Sequence, residues 1–215
     1  ILLNESLVDF ASGIERMHMI TNSMFQDLIV SMESWNRDLA SSVLSLEDDV
    51  DQFMFSLHRF IRSAATNPSL AGSLGVDILD CLDYQHLVNK IELVADHLSY
   101  MAESIVDLKN HQEKVDPSVW NILIEAARLA YTSYETAVER FLEGSIEDSS
   151  KIINNQNVIE ELIWKITPLP RTSEKDFSIF YHLFTIRDNI KRIGEDSADI
   201  AELTIDRHYK PQKNL

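Results

Sequence analysis

Apolar residues recur every three or four positions along most of this chain, the period of helices with one buried face. From Leu7 to Ser34 the stripe runs through Ile14, Met17, Ile20, Met24, Phe25, Leu28 and Met32. Trp35 to Asp38 interrupts it, and a second helix is predicted from Ala40 to Ala65 on Val43, Leu46, Val50, Phe53, Leu57 and Ile61. Thr66 to Val76 collects Pro68, Gly72 and Gly75 and is predicted to be a loop. A third helix covers roughly Asp80 to Gln112. The pattern restarts at Asp116-Pro117, where Asp suits the N-cap and Pro the first turn. A fourth helix is predicted from Trp120 to Leu142, closed by Gly144. A fifth runs from Ile146 to Ile166, stopped by Pro168 and Pro170, and a sixth from Glu174 to Arg207 before a loose tail. Nothing alternates as a strand would.

The third and sixth helices carry related text. Ile91 to Glu103, IELVADHLSYMAE, returns as Ile190 to Glu202, IKRIGEDSADIAE. Ile91 answers Ile190, Ala95 answers Gly194, Asp96 answers Glu195, Ala102 answers Ala201 and Glu103 answers Glu202. A repeat at this distance predicts one helical unit written twice. The expected fold is all-α: two tandem three-helix bundles of six long helices related by an internal pseudo-twofold. The first would span residues 1–115 and the second 116–215.

Composition narrows the possibilities. Only 5 Gly and 5 Pro in 215 residues leave few breaks. The formal charge of −16, from 35 acidic and 19 basic residues, argues against direct contact with nucleic acid, which draws its affinity from Lys and Arg. It suits a protein that binds cations or basic surfaces. Cys81 is the single cysteine, so neither an internal disulfide nor a thiolate cluster is available. No apolar run is long enough to predict a membrane span, and no signal-peptide pattern is expected at the N-terminus.

The acids are patterned. Glu92, Asp96 and Glu103 fall within about 40° of one another on a helix, away from the apolar face of Val94, Leu98, Ala102 and Ile105. Such a stripe is predicted to be solvated, or else compensated by a cation. Glu47 and Asp51 form a second E-x-x-x-D pair, just beside Val50, Phe53 and Leu57. Carboxylates on facing helices of one bundle are how bundles hold hard cations, because oxygen ligands suit iron, manganese, magnesium and calcium. In the second unit Gln156 and Glu160 stand where Glu47 and Asp51 stood, and Lys191 and Glu195 replace Glu92 and Asp96. Lys191 cannot ligate a metal and is expected to neutralise Glu195 or Asp188 instead. Gly194, mid-helix opposite Ala95 in the repeat, is expected to permit close helix packing. Trp35, Trp120 and Trp164 are expected to pack, His182 to be partly buried, and His97 to be locally hydrogen-bonded or solvated.

RIGEDSADIAE, from Arg192 to Glu202, resembles the signature of the PhoU family, and ELVADHLSYMAE, from Glu92 to Glu103, is similar to it at Glu92, Asp96, His97, Ala102 and Glu103. LEDDVD, from Leu46 to Asp51, resembles the family's other acidic motif. The resemblance covers the chain as two tandem repeats. It implies paired three-helix bundles, a homodimer, and a cytoplasmic adaptor without enzymatic activity. Such an adaptor regulates phosphate uptake and phosphate homeostasis, and reaches the inner face of the membrane through its partners. Those partners would be the ATPase subunit of a phosphate transporter and a signalling kinase. The resemblance also implies surface iron or zinc held by Glu47, Asp51, Glu92 and Asp96, with Glu160, Glu195 and Asp199 as second-repeat equivalents. Lys191 and Gln156 depart from the pattern there, and Tyr100 stands where the signature has Asn. Some archaeal relatives carry a small DNA-binding domain ahead of the repeats, and the first residue here is Ile1 rather than Met.

Three other readings compete. A di-metal carboxylate oxidase needs two E-x-x-H motifs, and only Glu15/His18 supplies one. A metal-free helical scaffold differs only in leaving the acidic stripes solvated. The chain would alternatively be the C-terminal effector domain of a transcription regulator.

Overall fold

Helix ends in this chain are written locally, and several are tied down over long distances. A computed structural model describes residues 10–166 and 177–210. The expected start of the first helix before residue 10, the Pro168/Pro170 stop, the start of the last helix at Glu174 and most of the tail lie outside them. Seven α-helices and no strand occur among the described residues. They are α1 (Phe10–Ser34), α2 (Arg37–Thr66), α3 (Pro68–Leu74), α4 (Ile78–Leu108), α5 (Pro117–Glu143), α6 (Ser149–Lys165) and α7 (Phe177–His208).

The predicted break after α1 is two residues, Trp35 in the left-handed region at φ 52° and Asn36 in extended backbone. Strain at Trp35 is offset by stacking of its indole on Trp120, at 4.2 Å between ring centroids. Trp120 Nε1 in turn donates to Met32 O at 2.9 Å, satisfying a carbonyl of the last turn of α1. Asn36 then caps α2, its side-chain oxygen accepting from Asp38 N at 3.0 Å and Leu39 N at 3.3 Å. Such a cap contributes about 1 kcal/mol.

The segment expected to be a loop, Thr66 to Val76, holds α3 instead. Asn67 accepts from Ser69 N and Leu70 N, Pro68 begins the helix, and Gly75 ends it at φ 68°. Asn67 at the N-cap with Pro68 in the first turn starts a helix rather than breaking one. α4 begins at Ile78 rather than Asp80 because Asp77 and Asp80 form a reciprocal capping box. It ends at Leu108, and a 3-10 turn over Lys109–Lys114 replaces its expected final turn. α5 obeys the Asp116 cap and the Gly144 stop. α6 starts three residues later than expected, after Asp148 at φ 66°.

α1, α2 and α4 pack on one another, as do α5, α6 and α7, and contacts between α4 and α7 and between α1 and α5 join the two sets. α4 and α7 are therefore enclosed from several directions. On α4, Leu87, Val88, Ile91, Val94, Leu98, Met101 and Ala102 are all fully buried. Burying a side chain of that size contributes about 1.5–3 kcal/mol. Gly194 on α7 lies under Ile159 of α6, where a Cβ would come within 2.9 Å of Ile159 Cδ1. Close packing, as expected, is the reason for glycine there.

Candidate functional site

The margin of the α2–α4 contact collects acid from both helices. Glu47 and Asp51 lie one turn apart on α2, Glu92 and Asp96 one turn apart on α4, and all four are half-buried. The expectation of a solvated stripe therefore needs correcting. Glu103 is exposed, but Glu92 and Asp96 are drawn toward α2 because α4 is an interior helix with little free face. The four acids act on one another's protonation. Burial, then Asp96, Asp51 and Glu47, push Glu92 up to about 7, with His97 pulling weakly the other way. Burial and Asp51 raise Asp96, and burial, Asp51, Asp96 and Asp48 raise Glu47. Charge crowding in a partly dry setting makes each ionised form costly. Among the described residues, however, no three His, Cys, Asp or Glu side chains converge as a formed metal site would require.

His97 belongs to a different contact. Its Nδ1 lies 2.9 Å from Asn189 Oδ1 and its Nε2 3.4 Å from Asp196 Oδ2, both on α7. Lys90, two turns earlier on α4, donates to Asp196 Oδ1 at 2.7 Å and to Asp199 Oδ2 at 2.5 Å. Burial works against the charge on Asp196, but hydrogen bonds from His97 and Lys90 outweigh it and hold the carboxyl below its ordinary value. Of this clasp, His97 and Asp199 stand out in the sequence, but Lys90, Asn189 and Asp196 do not. The available signal was polar residues, Asn189 and Asp196, at positions where the apolar stripe of α7 continues on either side.

In the second unit Lys191 Nζ lies 3.2 Å from Glu195 and 3.5 Å from Glu160. Asp188 is taken by Arg192 at 2.9 Å. The salt bridge expected in place of an ion is present to Glu195, not to Asp188. Asp199 does not join Glu160 and Glu195 but pairs with Lys90. Glu160, Trp164, Arg187, Asp188 and Lys191 line a cleft here. Trp164, expected to pack, is 69% exposed; it lies on the outward side of the last turn of α6, where Leu162, Ile163 and Ile166 take the core side.

His18, the histidine of the lone E-x-x-H match, is a core residue. Its Nδ1 lies 3.2 Å from the Tyr134 hydroxyl and its Nε2 3.2 Å from Asn22 Nδ2. Burial lowers its pKa to about 4, so the ring is neutral and both nitrogens are engaged.

A model of the PhoU domain matches residues 14–105, from α1 to within three residues of the end of α4. The phosphate-specific transport system accessory protein PhoU homolog 2 of Thermotoga maritima is 24% identical over 210 residues, which is 95% of this chain and 86% of that protein. Residues 14–105 therefore carry a PhoU domain. The fold extends the likeness through the rest of the chain. The crystal structure of PhoU from Pseudomonas aeruginosa superposes with a TM-score of 0.79 over 96% of this chain and 98% of that one, at 15% identity. No described helix is long and apolar enough to cross a membrane.

Proposed function

We propose that this PhoU-domain protein regulates phosphate uptake and the phosphate-starvation response by docking to partners rather than by catalysis. The PhoU family is one of non-catalytic phosphate regulators, and the PhoU-domain match over residues 14–105 is the observation that carries the reading. The Thermotoga relative is named as an accessory protein of phosphate-specific transport. The partners would be the ATPase subunit of such a transporter and a sensor kinase, met at the inner face of the membrane.

The division into repeats at residues 1–115 and 116–215 belongs to the same proposal. A shift of 99 positions takes Ile91 to Ile190, and with it Lys90 to Asn189 and His97 to Asp196. The contact of Lys90 with Asp196 then becomes the contact of Asn189 with His97. Both contacts exist, at 2.7 Å and 2.9 Å. That exchange is what a pseudo-twofold between α4 and α7 would produce.

The proposal extends to a cation, iron or zinc, held by Glu47, Asp51, Glu92 and Asp96. Their all-oxygen chemistry suits a hard or borderline cation, and their mutually raised pKa values mark repulsion that a cation would relieve. With three donors not yet convergent, the side chains must rotate inward to bind. Bound, the ion would supply local neutralisation of the α2–α4 acids. In the second unit Lys191 supplies that charge covalently.

Two measurements test the reading. Loss of the gene should derepress a phosphate-starvation reporter in phosphate-rich medium and alter uptake of radiolabelled phosphate. Unchanged reporter and uptake would sink the regulatory role. Separately, elemental analysis of protein purified without chelator should find iron or zinc that the Glu92→Ala/Asp96→Ala variant lacks; equal content removes these ligands and leaves the metal-free adaptor.

A further inference from the structure

The second half of α2 lies in the one long stretch of the chain that carries no acid. No Asp or Glu stands between Asp51 and Asp77, in a chain of net charge −16. Every other interval between successive acids is no more than half as long. Within the stretch, Gln52, Phe55, Ser56, Arg59 and Arg62 share a helix face about 120° wide, and all five are exposed. They point away from Val50, Leu57, Ile61 and Ala64, the buried side of the helix. With His58 they line an open concavity. The clefts beside Glu160 and Asp188 and beside Asp77 each include a carboxylate; this one includes none.

Every polar side chain of this concavity can donate a hydrogen bond. Neither Arg59 nor Arg62 makes an ion pair with another described residue; Arg59 Nε donates to Phe55 O at 3.3 Å. Burial lowers the pKa of His58, the hydrogen bond with Asn89 of α4 works the other way, and Arg62 lowers it again. Its Nε2 is buried and has no hydrogen-bond partner, an unsatisfied atom at the edge of the site that calls for an acceptor. The lining is also sorted along the helix. Gln52, Phe55 and Ser56 make an uncharged end, with an amide, a hydroxyl and an aromatic ring 58% exposed. His58, Arg59 and Arg62 make the cationic end, and the whole is about 15 Å long. We propose that this face binds a nucleotide carrying two or more phosphates, its base stacked on Phe55 and its phosphates held by Arg59 and Arg62. Guanidinium groups grip phosphate oxygens in pairs, and two arginines one turn apart suit successive phosphates of one chain. Stacking needs only an open aromatic face, which Phe55 offers. Asp48 and Asp51 stand just beyond the uncharged end, where they repel phosphate and so set the direction of the ligand. Inorganic phosphate would use the arginines but leave Phe55 bare, and an acidic peptide continuing past Phe55 would meet Asp51 and Asp48. Binding there requires no docked partner, and it would give the regulator an input separate from its acidic margin.

Calorimetric titration of the purified chain with ADP tests this, with chelator present so that no cation bridges the nucleotide to the α2–α4 acids. Saturable binding at one site per chain is expected, with a Kd below about 1 mM that rises with salt. Arg59→Ala and Arg62→Ala should each raise the Kd about tenfold, for ADP and for pyrophosphate alike. Phe55→Ala should raise the Kd for ADP about fivefold or more and leave that for pyrophosphate within about twofold of the parent. All three positions are exposed, and circular dichroism of the variants checks that folding is intact. Four outcomes overturn the proposal. These are no saturable binding at millimolar ADP, arginine variants that bind as the parent does, a Phe55→Ala variant that holds ADP unchanged, and inorganic phosphate, pyrophosphate or a poly-glutamate peptide held as tightly as ADP.

Discussion

Replacing Glu92 by Gln isolates the cost of crowding charge between α2 and α4. In the folded protein the Glu92 carboxyl is pushed from its ordinary 4.5 up to about 7, first by burial and then by Asp96, Asp51 and Glu47. A folded pKa above the unfolded one means that the native state holds its proton longer. Stability is then fully present below about pH 4.5 and is lost as pH rises toward 7. At full strength a shift of this size corresponds to about 3 kcal/mol. Glu92 keeps contact with water, and screening reduces the loss to about 1–2 kcal/mol. Urea unfolding of the parent and of Glu92→Gln at pH 5 and pH 8, with chelator present, reads it directly. The parent should lose about 1–2 kcal/mol more than the variant over that interval. Other titrating groups, His18 among them, act in both proteins and cancel in the difference. Millimolar divalent cation should flatten the slope of the parent at pH 8 and leave the variant less changed. Equal pH slopes in the two proteins would refute the claim that these carboxylates are electrostatically coupled.

Gly194→Ala sets a gain in helix propensity of about 1 kcal/mol against a Cβ placed 2.9 Å from Ile159 Cδ1. Paired with Ile159→Val, which removes that atom, a double-mutant cycle by denaturant should show the pair more stable than the sum of the singles by about 0.5–2 kcal/mol. Tyr134→Phe leaves His18 Nδ1 without its partner across the core and should cost about 1–3 kcal/mol in chemical denaturation. Because His18 titrates near 4 when folded, against 6.5 ordinarily, its contribution to stability is lost as pH falls from 6.5 toward 4, opposite in sign to that of Glu92. Measured by NMR of the ring, His18 should stay neutral at pH 6. Lys90→Met strands Asp196, which is only 6% exposed, and should lower stability by about 2–3 kcal/mol; adding Asp196→Asn should recover most of that loss in the same thermal or urea assay.

The six long helices were legible because each is several turns of amphipathic pattern, and a period repeated so often outweighs local noise. Asp116-Pro117 and Gly144 were legible for a different reason: capping is chemistry within a few residues, needing no tertiary partner. α3 was open to the same reading, since Asn67, Pro68 and Gly75 are its cap, first turn and stop, but Pro and Gly so close together read as a break. The repeat of Ile91–Glu103 in Ile190–Glu202 pointed to Glu92 and Asp96 and to Lys191, which stands in the place of one of them. What one helix could not disclose is which of its faces another helix will cover. Glu92 and Asp96 were placed on a free stripe, yet α4 lies against α1, α2 and α7 and has little free surface, so the same residues became a half-buried, mutually repelling group with Glu47 and Asp51. His97 was turned by Asn189 and Asp196, and Lys90 acquired its role only when α7 ran beside it. Period and capping are properties of neighbours in the chain; charge coupling, burial and pKa depend on neighbours in space, and only the packed helices supply those.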